Sequence, residues 1–263
     1  MNTDSQSSKL IDYDGPDKII SSYEMDEIIK EAQMQKPTLE IKSGIPGLDY
    51  YTRGFRAGEL VTVAGPTGEG KTKMCQTLTK AFSDSQHFPL WFSFEMPAAP
   101  FLRCFPSVPF FYMPAELKAY NWKWFVERCR ENEAKNAGKI VIIDHLHFLM
   151  DFLRTNNPAL EIGQIVRGLK RLAVDHGWII FLICHITKIA EGVKATMRHI
   201  KDSSAITQES DSVIMVQRTK ADNEAILTVD KCRWTGFRGK EVQVKLIDGY
   251  LRELADETKY PKY

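Results

Sequence analysis

Short apolar stretches recur along the chain and predict the strands of a sheet. They span residues 60–64, 90–94, 139–144, 178–184 and 212–217. The stretch 139–144 is apolar almost throughout, which indicates a strand of a parallel sheet that is covered on both faces. Two further stretches, 225–231 and 241–247, lie on either side of Gly236 and Gly239 and predict an antiparallel pair.

Segments with apolar residues at helical spacing separate these strands. The predicted helices span residues 72–82, 100–105, 115–137 and 159–176. Residues 43–49 are rich in turn-forming residues, residues 105–114 are irregular, and residues 186–199 lack a clear period and predict a loop. Strands that alternate with helices predict an α/β fold with a doubly wound, mostly parallel sheet. Such sheets bind ligands at the carboxyl ends of their strands.

The first part of the chain has a different pattern. Residues 1–18 are polar and are expected to be disordered, whereas residues 22–34 predict an amphipathic helix that Ser22 could cap. Lys36 and Pro37 would end this helix. The helix could pack on its own domain or dock on a neighbouring subunit. We therefore expect a tail with a linker helix over 1–37 and one folded domain over 38–263.

Composition restricts the class of protein further. The 263 residues include 35 basic and 34 acidic residues, so any nucleic-acid binding must be local. The five cysteines are scattered without a C-x-x-C pair, which argues against zinc and suits a reducing cytoplasm. The polar start of the sequence is not expected to act as a signal peptide, and no apolar run reaches about 20 residues. We expect a cytoplasmic protein.

The sharpest chemical signal follows the first predicted strand. The residues Gly65, Pro66, Thr67, Gly68, Glu69, Gly70, Lys71 and Thr72 fit the phosphate-binding pattern G-x-x-x-x-G-K-[ST]. Glycines let the backbone bend so that its N–H groups point at phosphate oxygens, and the next helix presents its positive end. Lys71 would reach the outer phosphates, and the hydroxyl of Thr72 would bind Mg²⁺. The pattern predicts a site for ATP with Mg²⁺.

Three polar residues end the other parallel strands at the same predicted edge. Asp144 could bind Mg²⁺ through water, or it could be a turn residue. Glu95 could orient and deprotonate the attacking water, or it could be an ordinary polar strand end. His185 could participate or could be a structural histidine. His145 and His147 lack a full set of metal ligands, so we assign them no role.

Together these motifs resemble the RecA-like ATPase domain of DnaB-family replicative DNA helicases, especially the phage and mitochondrial ring helicases. The resemblance runs from about Ser43 to Leu254. It rests on the segments 43–49, 65–72, 92–97, 142–148, 161–173, 183–185, 202–211 and 231–236. The order and spacing of these segments make the resemblance specific.

The resemblance implies roles for single residues. Glu95 matches the catalytic glutamate, Asp144 the Mg²⁺ aspartate and His185 the sensor of the γ-phosphate. Arg233 matches an arginine finger that enters the ATP site of the adjacent subunit, with Lys231 beside it. By spacing alone, Lys231 and Arg233 would be an exposed basic edge of a hairpin.

The resemblance also implies a path for single-stranded DNA through a ring that is expected to be a hexamer. The second DNA loop matches residues 186–199, with Lys188, Lys194, Arg198 and His199. The first matches the region after Asp144, with Arg154, Asn156 and Asn157. These groups could neutralise phosphates, or they could belong to solvated charged loops.

Two departures from the family pattern bear on function. Ser204 stands where a glycine is usual, which would stiffen that loop, and the segment before Ser43 is too short for a primase or a folded collar. A separate primase and a DNA polymerase are therefore expected as partners. The leading hypothesis is a 5′→3′ helicase of a bacterial or phage-infected cell. The alternatives are a RecA-like recombination or clock-type ATPase and a non-motor nucleotide-binding regulator.

Overall fold

The computed structural model of the chain describes residues 19–35, 39–117, 122–146, 158–190, 192–200, 203–254 and 260. The chain divides into two compact units, Met1–Thr38 and Leu39–Tyr263. The described part of the first unit contains helix α1, and all other elements belong to the second unit. Each unit is described by itself.

Helix α1, Ser22–Gln35, confirms the predicted helix near the start of the chain. Its cap is Ser21, and the prediction of Ser22 is therefore wrong by one residue. The Ser21 hydroxyl accepts the N–H of Glu24 at 3.2 Å, and the Glu24 carboxylate accepts the N–H of Ser21 at 2.7 Å. This reciprocal pair satisfies two backbone donors at the helix start. Residues 1–18, Lys36 and Pro37, which carried the predictions of disorder and of a helix stop, lie outside the described residues.

The second unit alternates strands and helices. Its helices are α2 Pro46–Thr52, α3 Lys71–Asp84, α4 Ala98–Arg103, α5 Trp122–Asn136, α6 Pro158–His176 and α7 Ser203–Glu209. Its strands are β1 Glu40–Ile41, β2 Phe55–Arg56, β3 Leu60–Gly65, β4 Leu90–Ser93, β5 Ile140–Asp144, β6 Ile179–His185, β7 Ser212–Arg218, β8 Glu224–Cys232, β9 Lys240–Ile247 and β10 Tyr250–Glu253. A 3-10 turn, Met197–His199, precedes α7.

Within the described residues, eight strands form one sheet in the order β10-β9-β8-β7-β3-β6-β5-β4. Strands β7, β3, β6, β5 and β4 are parallel, and β8, β9 and β10 continue the sheet in antiparallel pairs. This arrangement confirms the predicted fold class, a mostly parallel α/β sheet with an antiparallel hairpin near its end.

The sheet is covered on both faces, as the apolar strand pattern predicts. Val61 and Val63 belong to one buried cluster, together with Leu48, Met74 and the aromatic rings beneath α3. Leu60 and Ala64, the alternate residues of the same strand, belong to the cluster on the other face. Because successive side chains of a strand point to opposite faces, both clusters require apolar residues at consecutive positions.

Some predictions of local structure were wrong or incomplete. Residues 43–49 were predicted as turns, but Pro46 begins the seven-residue helix α2. Helices α2 and α7 span fewer than three turns, so they show too little periodicity to be recognised. The helix predicted from residue 115 is not helical at residues 115–117, and α5 is described from Trp122. The segment just before these residues is held in an extended conformation, because the backbone of Tyr112 forms hydrogen bonds with Pro89 and Trp91 beside β4. This tertiary contact outweighs the helix propensity of residues 115–117.

None of the helices in the described part of the chain has the length and apolar character that crossing a lipid bilayer requires.

Strands β3 and β7 approach closely at Gly65, the first residue of the phosphate-binding pattern. A Cβ atom at Gly65 would lie 2.1 Å from the backbone carbonyl oxygen of Val216. We expect Gly65→Ala to lower the free energy of unfolding by about 3 kcal/mol, because neither backbone can yield without breaking strand pairing. In the control Gly163→Ala, the new Cβ would lie 3.6 Å from the Ala205 Cβ, an ordinary contact.

Since Gly163 lies within α6, its replacement by alanine is expected to stabilise the protein by about 0.5–1 kcal/mol. Urea unfolding of both variants measures the difference. Equal stability of the two variants would contradict the close approach of β3 and β7.

Candidate active site at the carboxyl edge of the sheet

The phosphate-binding pattern forms the connection between β3 and α3. Gly68 and Gly70 adopt φ angles of 82° and 96°, a region that side chains with a Cβ rarely enter. This geometry lets α3 begin directly at Lys71. The first turn of α3 thus presents backbone N–H groups at the carboxyl end of β3, where an anion would find them.

Lys71 is folded back over the loop. Its ammonium group donates to the carbonyl oxygen of Pro66 at 2.8 Å, and only 5% of the residue is exposed. Burial lowers the pKa of Lys71, while the nearby carboxylates of Asp144 and Glu95 act in the opposite direction. The ammonium therefore bonds to an uncharged carbonyl oxygen of its own loop. An anionic phosphate oxygen could take the place of this carbonyl.

Asp144 and Thr72 form the part of the site that fits a hard metal ion. The Thr72 hydroxyl donates to Asp144 Oδ2 at 2.8 Å. Asp144 is 1% exposed, and among the described residues no group donates to its Oδ1. Burial raises the pKa of Asp144 to about 6, and the charge of Glu95 adds to the rise. A buried carboxylate oxygen without a donor, beside a hydroxyl, is a fitting oxygen-ligand set for Mg²⁺.

Glu95, His145 and His185 meet beside this pair. Each offers one potential ligand atom, and these atoms all lie within 4.8 Å of one another. Strand register explains the meeting, because His185 is paired with Gly65 and Asp144 is paired with Ser93. Glu95 and His185 line a cavity of about 290 Å³ together with the phosphate loop. The predicted convergence of Glu95, Asp144 and His185 at one edge is therefore present. His147 lies outside the described residues.

Sequence reasoning missed a second cavity that adjoins the same loop. It has a volume of about 220 Å³, and its lining includes Gly68, Gly70, Arg218, Leu246 and Leu251. The backbone N–H of Arg218 donates to the carboxylate of Glu69, which fixes the end of β7 to the phosphate loop. The one sequence feature that could have indicated this cavity is Arg218, a basic residue at the end of a predicted strand. Basic residues are too common at strand ends to identify a binding site.

Arg233 lies at the opposite edge of the sheet. Its guanidinium is 3.0 Å from Asp211 Oδ1, and its backbone N–H donates to the Asp211 carbonyl. Asp211 in turn exchanges hydrogen bonds with Leu60, the first residue of β3. The length of β3, about 17 Å at about 3.3 Å per residue, separates this edge from the phosphate loop. The guanidinium of Arg233 therefore cannot reach the phosphate loop of its own chain.

Lys231 is held inside its own chain. Its ammonium donates to the carbonyl oxygens of Ser210 at 2.6 Å, Thr207 at 2.7 Å and Gln208 at 3.3 Å. These carbonyls lie at the C-terminal end of α7, where a cation satisfies acceptors that have no helical partner. Burial lowers the pKa of Lys231, and Arg233 contributes to the shift. Lys231 could contact another subunit only by giving up these bonds, so its role beside the finger stays a prediction.

The predicted second DNA loop borders a large groove. Lys188 and Lys194 line a space of about 790 Å³ with Arg218 and Lys220, directly beside the phosphate loop. Lys194 is paired with Glu241 at 2.5 Å. His199 is half-buried and caps the 3-10 turn, because its Nδ1 accepts the N–H of Thr196 at 3.0 Å.

Among the other predicted DNA contacts, Arg198 is exposed on the 3-10 turn. Arg154, Asn156 and Asn157 lie outside the described residues, so their predicted contact with DNA is untested.

Comparison with known proteins agrees with this geometry. Residues 40–104 and 114–247 match the family described as the DnaB-like helicase C-terminal domain. A probable replicative DNA helicase of Trieres chinensis is 24% identical over 225 residues, which cover 72% of this chain and 50% of that protein. The replicative DNA helicase DnaB of Mycoplasma pneumoniae is 25% identical over 252 residues, covering 75% of this chain and 52% of that protein. The chain thus spans about half the length of the curated relatives that it matches.

Solved structures share the fold. A solved ATPase domain superposes with a TM-score of 0.76 at 18% sequence identity, over 91% of this chain and all of that chain, and it confirms the RecA-like fold. A DnaB-like replicative helicase superposes with a TM-score of 0.74 at 18% identity, over 92% of this chain and 69% of that chain.

The family match covers most of the chain and includes the residues on which the site depends. It contains the phosphate loop, Glu95, Asp144, His185 and Arg233. The matched residues are therefore the same ones that the fold brings to the two edges of the sheet. This chain belongs to the family of DnaB-like helicase C-terminal domains.

Proposed function

We propose that the chain is the ATP-hydrolysing motor of a replicative DNA helicase, which forms a hexameric ring, moves 5′→3′ on single-stranded DNA and separates the duplex. The supporting observation is the convergence of Thr72, Asp144, Glu95 and His185 at one edge of the sheet, with Arg233 at the other edge. The family match supports a helicase. The proposed polarity of movement rests on the resemblance to ring helicases. We also propose that a separate primase and a DNA polymerase are partners of this motor.

The chain's own residues would bind the nucleotide in two adjacent cavities. Backbone N–H groups of the phosphate loop and Lys71 would take the phosphates, after the ammonium exchanges the Pro66 carbonyl for a phosphate oxygen. The cavity beside Arg218 has apolar walls from Leu246 and Leu251 and would take the nucleoside. Thr72 and Asp144 would hold Mg²⁺, which when bound neutralises charge on the β- and γ-phosphates.

Hydrolysis would use residues that line the cavity of about 290 Å³ beside the phosphate loop. Glu95 is exposed at the rim, where its carboxylate can accept a proton from water and orient the remaining hydroxyl toward the γ-phosphate. His185 lies beside it, with its Nδ1 3.4 Å from the hydroxyl of Thr67 in the phosphate loop. A histidine that bonds to the loop and lies within 4.8 Å of the proposed catalytic carboxylate is well placed to report whether the γ-phosphate is present.

The position of Arg233 supports a ring. Its distance from its own phosphate loop leaves a neighbouring subunit as the place where a finger could act. A guanidinium supplied by a neighbour would stabilise the charge that develops on the transferring phosphoryl group. Head-to-tail contacts that pair the two edges of successive subunits close into a ring when the rotation per subunit permits. The guanidinium is half exposed, and it would exchange its bonds to Asp211 and to the Gln208 carbonyl for the phosphate of the neighbour.

The tail and linker helix, residues 1–37, are proposed to join neighbouring subunits, and residues 38–263 to form the motor domain. Met25, Ile28, Ile29 and Ala32 lie at helical spacing on one side of α1, which provides an apolar face for docking. Removal of residues 1–37 is therefore expected to reduce assembly while ATP binding to the remaining domain is retained.

Particle images with and without ATP and single-stranded DNA test the proposed assembly. A closed or lock-washer ring is expected, and a helical filament on DNA without strand separation would favour a recombination-type ATPase. A strand-displacement assay with a 5′-tailed substrate tests activity and polarity in the same preparation. Lys71→Ala serves as the inactive control.

The groove beside the phosphate loop is proposed to contact the DNA backbone, together with Arg198 on the 3-10 turn of the same predicted DNA loop. Joint replacement of Lys188, Lys194 and Arg198 by alanine should weaken single-stranded DNA binding equally for all sequences, because phosphates carry no base identity. The slope of log K against log salt should decrease by up to about 2, since each phosphate contact contributes about 0.7. Measurement requires fluorescence titrations of oligonucleotides at several salt concentrations.

A matched control removes three cations elsewhere, at Lys80, Lys135 and Arg171, which pair with carboxylates one helical turn away on their own helices. The control should keep the slope of the unmodified protein. An unchanged slope in the Lys188, Lys194 and Arg198 variant would move the DNA path away from this groove.

A further inference from the structure

Three side chains at the carboxyl edge form a ligand set that the helicase reaction does not require. Glu95 follows β4 by two residues, His145 directly follows β5, and His185 is the last residue of β6. These strands are β-sheet neighbours in the order β6-β5-β4, so their ends deliver the three side chains to one point. One carboxylate oxygen and two imidazole nitrogens lie within 4.8 Å of one another.

The chemistry of this set differs from that of the neighbouring Thr72–Asp144 pair. Mg²⁺ prefers oxygen ligands, whereas two imidazoles with one carboxylate form a common set for Zn²⁺ and related divalent transition ions. Ligand atoms bound tetrahedrally at about 2.0–2.2 Å to one ion lie about 3.3–3.6 Å apart. Small side-chain rotations would therefore bring the three atoms to bonding distance. The imidazole rings already meet edge to face, with their centroids 4.5 Å apart.

We propose that Glu95, His145 and His185 bind a divalent transition-metal ion, Zn²⁺ or a similar ion, in the nucleotide-free protein. His145, which the proposed hydrolysis leaves unused, completes this site. The binding itself depends only on the three side chains. Its consequence rests on the proposed function: a bound ion would occupy the carboxylate of Glu95 and the ring of His185 and would thereby inhibit ATP hydrolysis.

The ion and the nucleotide are expected to compete. Glu95 and His185 line the same cavity as Lys71 and Thr72, so an ion held at the rim and the γ-phosphate of ATP would share this space. Because linkage is reciprocal, Mg²⁺ with ATP should weaken transition-metal binding by the same factor by which the transition metal weakens ATP binding.

Titration of the nucleotide-free protein with cobalt chloride tests the site directly, because protein-bound Co²⁺ absorbs visible light. One equivalent is expected to bind. His145→Ala removes one ligand and should weaken the affinity by more than the roughly 10–100-fold that loss of an outer-shell partner costs. His145→Gln keeps a side chain of similar size and should show the same loss, which separates ligation from an effect on folding.

Cys104→Ser is the matched control. The Cys104 thiol lines the same cavity and is the alternative soft ligand, so unchanged cobalt binding in this variant shows that sulfur does not hold the ion. Equal cobalt binding by His145→Ala and the unmodified protein would overturn the proposed site. Absence of stoichiometric binding would overturn it as well.

The ATPase assay separates this proposal from the proposed function. Zinc chloride should inhibit the unmodified protein, a chelator should reverse the inhibition, and His145→Gln should resist it. The inhibition is measured at ATP concentrations well below saturation, so that ATP does not displace the ion. If cobalt binds through His145 but saturating zinc leaves hydrolysis unchanged there, the metal site stands and the assignment of Glu95 and His185 to hydrolysis fails. If His145 variants bind cobalt normally while Glu95→Gln abolishes hydrolysis, the metal site fails and the proposed function stands.

Discussion

Arg233→Ala is expected to lower ATP hydrolysis by about three orders of magnitude while ATP binding is retained, because an arginine finger contributes that much to the rate. The phosphate loop, Asp144 and Glu95 lie at the other edge of the sheet, so the variant leaves its own nucleotide site intact. Steady-state hydrolysis and binding of a fluorescent ATP analogue measure the two properties separately. Arg238→Ala is the matched control, since it removes an exposed cation from the same β8–β9 connection.

Mixing experiments show whether the finger acts between subunits. Lys71→Ala has the opposite defect, because its own phosphate site is lost but its Arg233 is intact. In a mixture of the two inactive variants, some interfaces pair an intact phosphate loop with an intact finger. ATPase activity should therefore return in part and increase with protein concentration. If the subunits demonstrably mix and no activity returns, Arg233 does not serve a neighbouring site.

The stability of Arg233→Ala needs a separate measurement, because Arg233 is paired with a buried carboxylate. Asp211 is 3% exposed and keeps a second cation, Lys170, at 2.6 Å. The remaining pair should limit the cost of losing the guanidinium, so thermal unfolding should remain cooperative. A variant that fails to fold would be replaced by Arg233→Lys, which keeps the charge but lacks the planar, five-donor guanidinium of a finger.

Glu95→Gln is expected to bind ATP and to hydrolyse it about 10²–10⁴-fold more slowly, the usual contribution of a general base. The amide keeps the size and hydrogen-bonding geometry of the carboxylate but cannot accept the proton of the attacking water. Single-turnover hydrolysis isolates this step, and nucleotide titration checks that affinity is retained. Lys71→Ala should instead lose affinity, since its ammonium neutralises the outer phosphates.

Asp144→Asn distinguishes the base from the metal ligand. Loss of the buried carboxylate should raise the Mg²⁺ concentration needed for activity, whereas Glu95→Gln should leave that concentration unchanged. Hydrolysis by Glu95→Gln near the rate of the unmodified protein would show that another group activates the water. A shifted Mg²⁺ requirement in Glu95→Gln would assign Glu95 to the metal.

Local sequence was sufficient to predict the phosphate loop and seven of the eight described strands of the main sheet, all except β10. The turn at Gly68 and Gly70 requires positive φ angles, and that requirement is visible in the residues themselves. The run of apolar residues in β5 predicts a strand that is covered on both faces. The structure confirms this prediction, since a buried apolar cluster packs on each face of the sheet. From the rule that parallel strands share a carboxyl edge, Asp144, Glu95 and His185 were then expected together.

Tertiary structure decided what depends on packing between distant segments. The short helices α2 and α7 have too few turns for a period, and β10 forms because it pairs with β9. Residues 115–117 follow a segment paired with β4, a contact that helix propensity does not encode.

The same dependence on distant contacts determined the surroundings of the functional side chains. The bonds of Lys231 to the end of α7 arise from segments more than 20 residues apart. Strand register brought His145 into contact with His185, and the antiparallel return of β8 put Arg233 at the edge opposite the phosphate loop. Sequence patterns indicate the backbone conformation and the burial of a residue. Its contacts with residues that are distant in sequence are determined only when the strands pair.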